Sequence, residues 1–180
     1  MLELALNILD VAENSVRAGA SLVEIELCED LAADRLTIRI SDNGCGMDAS
    51  QLERVSDPFF STKTVRRIGL GVPLLKQAAE AAGGSFAIES TLGQGTRVTA
   101  SFRHAHLDRQ PLGDVAGALT ALILGAPEID FVYSHSVDGR EFCLDTRELR
   151  DPELSLNDPA VLGLIAENVR EGLLEIGSRA

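Results

Sequence analysis

The sequence is poor in cysteine and has no long apolar run. Its three cysteines, Cys28, Cys45 and Cys143, are too few and too widely spaced for a disulfide framework, which favours a reducing, cytoplasmic environment. No stretch is long and apolar enough to span a bilayer, and the N-terminus lacks a signal-peptide pattern. We therefore expect no membrane association.

Basic side chains are also scarce, since 16 lysines and arginines face 28 aspartates and glutamates and leave a net charge of −12. Residues 1–105 carry 10 basic and 14 acidic side chains, and residues 106–180 carry 6 and 14. Neither part offers a basic face for a phosphate backbone, so nucleic-acid binding is not expected. The signature G-x-x-x-x-G-K-[ST] is missing too, which argues against a P-loop ATPase.

The most informative segment is residues 42–47, which follow an alternating run at residues 36–40 that predicts a half-buried strand. Asp42 supplies a carboxylate, and Gly44 and Gly46 let the backbone approach a ligand closely. A carboxylate can accept a hydrogen bond from an exocyclic amine, which distinguishes adenine from guanine. Taken alone, the segment is equally an ordinary turn.

Three further segments accompany it in a fixed order. On a predicted N-terminal helix, Asp10 and Asn14 are four residues apart and share one face, where their oxygens suit Mg²⁺ and an activated water. After Asp57 no acidic residue occurs before Glu80, and residues 57–67 predict a basic, hydroxyl-rich loop over phosphates. Residues 68–84 place glycines at the start of a helix, where free N–H groups favour an anion. Taken alone, the Asp10 and Asn14 segment is more readily a solvated helix face, and residues 57–67 can be a surface loop with its aromatic side chains in the core.

Together the four segments resemble the N, G1, F and G2 boxes of the GHKL ATPase superfamily, over roughly residues 1–105. That superfamily includes gyrase, heat-shock chaperones, histidine kinases and mismatch-repair ATPases. The resemblance implies the Bergerat ATP-binding fold, an α/β two-layer sandwich with a mixed β-sheet and helices on one face. Residues 58–63 resemble the histidine-kinase branch and residues 13–20 the mismatch-repair branch, so the chain combines features of both.

The resemblance also implies ATP and Mg²⁺ as ligands and assigns roles to residues. Asn14 would bind Mg²⁺, Asp42 would bind the adenine amine, and Asp10 would be a possible base that orients the attacking water; helix polarity and support of the metal are the alternatives for Asp10. A second alignment begins the N box at Asn7 and places Val11 at the metal position, and we prefer Asn14. The other implied ATP-binding residues shape the pocket floor, assist at the adenine end or approach the phosphates: Gly44, Gly46, Thr96, Lys63, Arg66, Arg67, Gly69, Leu70 and Gly71.

The lid between Lys63 and Gly69 departs from the family pattern, because it is short and lacks the glycine that usually precedes Gly-Leu-Gly. We expect a weakly shielded nucleotide that is hydrolysed slowly and exchanged readily.

The pattern changes after residue 105, and residues 106–180 are predicted to form a C-terminal extension of unknown role. An apolar helix at residues 115–124, a hairpin with an Asp138-Gly139 turn and a last helix at about residues 159–176 are predicted. This helix–hairpin–helix unit either packs on the sheet or forms a dimer or partner surface. His104 and His106, at the end of the preceding strand, are interpreted as edge residues.

No segment that could carry a phospho-accepting histidine precedes the ATP module in this sequence. We therefore expect a stand-alone protein that transfers the γ-phosphate of ATP to a separate protein, similar to histidine kinases or anti-sigma-factor kinases. One alternative is a slow ATPase that acts as a nucleotide-dependent switch, and the other is a non-catalytic nucleotide-binding assembly module. A protein partner or phospho-acceptor is expected, and a homodimer is possible.

Overall fold

One mixed β-sheet organises the described part of the chain. The structure is a computed structural model, and it describes residues 3–55, 71–151 and 155–178. Within these ranges six strands lie side by side in the order β3-β4-β2-β1-β5-β6. They are β1 (Leu22–Asp30), β2 (Arg35–Asp42), β3 (Ser85–Thr91), β4 (Gly95–Arg103), β5 (Asp130–Val137) and β6 (Arg140–Asp145). The helices in the same ranges are α1 (Leu4–Arg17), α2 (Ala49–Arg54), α3 (Gly71–Ala81), α4 (Val115–Gly125) and α5 (Pro159–Ile176), with a 3₁₀ turn at Thr146–Leu149.

The pairing joins the two predicted parts of the chain into a single sheet. Strands β1, β2, β4 and β3 pair antiparallel in that order, and β5 and β6 form the predicted hairpin. Strand β5 pairs parallel to β1, with Leu22 opposite Asp130. The extension therefore continues the sheet. A domain boundary at residues 105/106 stays a prediction, and no break in the sheet marks it.

Alternating side chains give the sheet one apolar face and one polar face. On β1, Val23, Ile25 and Leu27 are buried, while Glu24 and Glu26 lie on the opposite face. Helices α1, α3, α4 and α5 cover the apolar face and share one hydrophobic core with it. The predicted two-layer α/β sandwich is confirmed. No helix within the described ranges has the length and apolarity that crossing a bilayer requires.

Candidate functional site

A cavity of about 410 Å³ lies between α1 and the sheet. This volume is in the range of small-molecule binding sites. Six elements and the loop after β2 contribute to it, and most of its wall is apolar. The apolar part of the lining comes from Val11, Ile40, Met47, Val55, Val72, Ile88 and Val98. Such a wall suits a flat heteroaromatic ring, whose faces gain from leaving water.

Asp42 contributes a carboxylate to the cavity wall. It is the last residue of β2 and is paired with Thr96 of β4. Its Oδ1 atom accepts hydrogen bonds from the backbone N–H groups of Gly44, at 2.9 Å, and Thr96, at 3.2 Å. Its Oδ2 atom accepts a hydrogen bond from the Ser15 hydroxyl at 2.6 Å. The carboxylate is therefore fixed by donors from α1, from β4 and from its own loop.

These contacts leave Asp42 with acceptor capacity for a ligand. An ionised carboxylate has about four acceptor positions, two on each oxygen. Two donors occupy Oδ1 and one occupies Oδ2, so one position on Oδ2 remains for an amine in the cavity. An oxygen held in this way accepts from an N–H group and cannot donate to a carbonyl.

Ser15 is a site residue that the sequence reasoning missed, because it was assigned to the apolar face of the first helix. It is 4% exposed, and α1 places it in the cavity wall beside Asn14. Its hydroxyl occupies one of the two acceptor positions on Asp42 Oδ2 and helps to fix the orientation of the carboxylate. The only hint in the sequence is a serine within an otherwise apolar stripe.

Asn14 lines the same cavity one position earlier on α1. Its Oδ1 atom accepts a hydrogen bond from Arg17 Nη1 at 2.8 Å, and Arg17 also forms an ion pair with Glu13. Asn7, from the alternative alignment, instead donates to the Gln110 side chain at 3.0 Å and is absent from the cavity lining among the described residues. The structure thus places the amide of Asn14 on the cavity wall.

Asp10 and Gly71 meet where α1 contacts the start of α3. A Cβ atom at Gly71 would lie 2.8 Å from the Asp10 Cβ atom, so this approach requires glycine. Their neighbours in sequence, Val11 and Val72, both line the cavity. The backbone and Cβ atom of Asp10 therefore lie beside the part of α3 that contributes Val72 to the cavity.

The loop after Asp42 needs glycine at position 46. Gly46 has φ +63°, and a Cβ atom there would lie 2.1 Å from the Thr91 carbonyl oxygen. The loop is held against the turn after β3, because Gly93 N–H donates to the Cys45 carbonyl at 2.7 Å. This packing fixes the cavity floor that Gly46 and Cys45 line.

The structure brings the described part of the predicted site together. Asn14, Asp42, Gly46 and Thr96 line the cavity, Gly44 binds Asp42, and Asp10 contacts Gly71 beside it. The predicted phosphate-side residues Lys63, Arg66, Arg67, Gly69 and Leu70 lie outside the described residues.

Comparison with known proteins identifies the family. The family described as histidine kinase-, DNA gyrase B-, and HSP90-like ATPase matches residues 2–106. The chain belongs to this family. The predicted GHKL superfamily is confirmed.

This chain is similar to a short part of longer sensor proteins. A putative sensor protein of Shewanella frigidimarina is 32% identical over 103 residues, which cover 56% of this chain and 16% of the relative. The sensor protein kinase WalK of Staphylococcus haemolyticus is 32% identical over 85 residues, covering 44% of this chain and 14% of that protein. The matched region is thus about one sixth of the length of these relatives.

Two solved structures share the fold of this chain. The N-terminal domain of a DNA repair protein superposes with a TM-score of 0.57 at 17% identity, covering 99% of this chain and 57% of that one. The Aquifex aeolicus MutL ATPase domain, solved with ADP, gives 0.50 at 19% identity and covers 93% of this chain and 68% of that one. At these identities the likeness concerns the fold alone.

Proposed function

We propose that this protein binds Mg-ATP in the cavity beside α1 and transfers the γ-phosphate to a separate protein. The observation that carries the proposal is the single remaining acceptor position on Asp42, in a cavity with an apolar wall. An adenine ring fits this environment, since its exocyclic amine donates to the carboxylate while its faces contact apolar side chains. Guanine presents a carbonyl at the same place and is disfavoured.

The side chains toward the phosphate end suit a hard cation. Asn14 offers an amide oxygen, which Mg²⁺ accepts alongside water and phosphate oxygens, and Asp10 lies one helical turn earlier. Asn14 would hold the metal ion, and a bound Mg²⁺ would neutralise part of the negative charge of the phosphates. In the described structure the Asn14 oxygen accepts from Arg17, so this arginine must turn away when a cation binds.

Similarity to sensor protein kinases favours phosphate transfer. Slow ATP hydrolysis is the second candidate, and one observation supports it. Asp10 packs against Gly71 of α3, and their neighbours Val11 and Val72 line the cavity, which supports a position for Asp10 near the phosphates. Aspartate there can orient a water molecule, although its side chain is one methylene shorter than glutamate.

The test follows the γ-phosphate of radiolabelled ATP with Mg²⁺, in the presence and absence of cell extract. The wild-type protein, Asp42→Asn and Asp10→Asn are compared. Label on an extract protein that is lost in Asp42→Asn supports transfer. Free phosphate without extract, lost in both variants, supports hydrolysis instead. Equal nucleotide binding by wild type and Asp42→Asn would refute the proposed adenine site.

A further inference from the structure

Helix α1, which carries Asp10, Asn14 and Ser15, lacks a cap of its own. Its N-cap residue Glu3 makes no side-chain capping hydrogen bond, and its first turn has no acidic residue. The first N–H groups of a helix have no partner within it and need acceptors from elsewhere. The N–H groups of Leu4 and Ala5 find them in the carbonyl oxygens of Pro111 and Leu112, at 3.0 and 2.8 Å.

Residues 104–112, which we call the strap, therefore cap the nucleotide-binding helix from the outside. Several contacts hold the strap in place. At its start, the Ala105 N–H group donates to Asp34 Oδ1 at 2.7 Å and the His104 N–H group donates to the Asp34 carbonyl at 2.9 Å. Arg109 Nε donates to the His104 carbonyl at 2.6 Å, and the buried Asn7 of α1 donates to the Gln110 side chain at 3.0 Å. Any displacement of the strap thus acts directly on the start of α1.

The first residue of the strap, His104, forms a hydrogen bond with a buried carboxylate. Glu29, at the end of β1, is 1% exposed and accepts hydrogen bonds from His135 Nε2 at 2.8 Å and from His104 Nε2 at 2.9 Å. Burial alone raises the pKa of Glu29, but the hydrogen bonds from His135, Ser178 and His104 outweigh it and lower the pKa to about 2. The side chain is therefore a permanent acceptor. Within the described ranges no His, Cys, Asp or Glu cluster has the arrangement of a metal site.

The same carboxylate holds the end of α5. Ser178, the first residue after the left-handed Gly177, donates its hydroxyl to Glu29 Oε1 at 2.6 Å. The start of the strap and the end of α5 thus bind the same carboxylate through different oxygen atoms, His104 at Oε2 and Ser178 at Oε1. The cavity lies at the other end of β1, beside Asp42.

We propose that the strap couples the docking of the α5 end to the nucleotide site, with the Glu29 carboxylate as the common anchor. Release of Ser178 removes one of the contacts that fix the Glu29 side chain. The carboxylate can then shift and displace the His104 end of the strap, which caps α1 less firmly. Because α1 carries the serine that positions Asp42 and the amide for the cation, nucleotide affinity falls. The effect on nucleotide rests on the proposed function, whereas the effect on α1 does not.

The test compares the full-length protein with Ser178→Ala by residue-resolved amide hydrogen exchange and by binding of a non-hydrolysable ATP analogue. Faster exchange is expected at Gly177 and Ser178, which bond the last turn of α5, and also at Leu4 and Ala5. Affinity for the analogue should fall about fivefold, the lower end of typical coupling strengths. The matched control is Ser155→Ala, which also removes a 2.6 Å hydroxyl hydrogen bond, in this case to Asn157 before α5.

Each outcome decides the proposal. If only Gly177 and Ser178 exchange faster, the α5 end is not coupled to α1. If Leu4 and Ala5 also exchange faster while affinity is unchanged, coupling to the nucleotide site is refuted. If the wild type binds no nucleotide, the proposed function is refuted. The exchange rates at Leu4 and Ala5 then still test whether the strap couples the end of α5 to α1. Glu29→Gln is a second variant that should give the same pattern more strongly, because an amide has fewer acceptor positions.

Discussion

Replacing Asp42 by asparagine tests the adenine site most directly. The carboxylate already accepts from Gly44, Thr96 and Ser15, and its remaining acceptor position is the one that a ligand amine would use. In Asp42→Asn the amide oxygen can stay toward the two backbone N–H groups. The new NH₂ group then takes the place of Oδ2, and the Ser15 hydroxyl can turn to accept from it.

The same NH₂ group faces the adenine amine, so two donors meet. A hydrogen bond to a charged group contributes roughly 1.5–3 kcal/mol, and a stranded partner costs about as much. Since each 1.4 kcal/mol is a factor of ten, ATP affinity should fall about tenfold to a hundredfold. The fold should change little, because Asn satisfies all three internal partners of Asp42.

Isothermal titration with ATP and GTP measures this change, with thermal unfolding as the check on folding. The matched control is Asp158→Asn, which removes the same charge at the N-cap of α5, where asparagine caps as well as aspartate. GTP should lose less affinity than ATP, because the new NH₂ group can donate to a guanine carbonyl. ATP affinity equal to that of the wild type in a folded Asp42→Asn protein would refute the reasoning.

Three other perturbations have clear expected outcomes. Ser15→Ala should weaken ATP binding about tenfold by freeing Asp42 Oδ2, with Ser15→Thr, which keeps the hydroxyl, as the comparison in the same titration. Gly46→Ala should lower the melting temperature and nucleotide affinity together, since its Cβ atom would overlap the Thr91 carbonyl. Glu29 has a folded pKa of about 2 against 4.5 unperturbed, so about 3 kcal/mol of stability should be present above pH 4.5 and lost as pH falls toward 2. Urea titrations across that window should show a smaller loss in Glu29→Gln than in wild type, because Asp34 and Asp145, whose pKa values are also lowered by hydrogen bonds, titrate in both proteins.

The sequence predicts elements well where local chemistry marks both ends. Helix α5 matches its predicted range, because Asp158 caps its start and Gly177 adopts the left-handed conformation at its end. The β5–β6 hairpin was likewise marked by Asp138 and Gly139, both of which have positive φ. These signals act over a few residues and need no tertiary information.

The contacts between distant segments could not be predicted in this way. Strand β1 was not predicted, although its apolar residues alternate, and its buried face also includes Glu29. The interpretation of His104 as an edge residue was wrong, since its side chain bonds that buried carboxylate 75 residues away. Ser15 depends on Asp42 in the same manner, across 27 residues. The role of a polar residue inside an apolar pattern can be predicted only when its partner in the fold is known.

The division of the chain near residue 105 illustrates how similarity and structure differ. The family match ends at residue 106, inside the strap, while the carbonyl groups that cap α1 belong to Pro111 and Leu112. Backbone acceptors impose little requirement on side chains, so a capping segment can serve α1 without a recognisable motif. The nucleotide-binding helix nevertheless depends on it, because its first N–H groups have these carbonyls as acceptors. A boundary placed at residue 105 would therefore separate helix α1 from the segment whose carbonyl groups cap it.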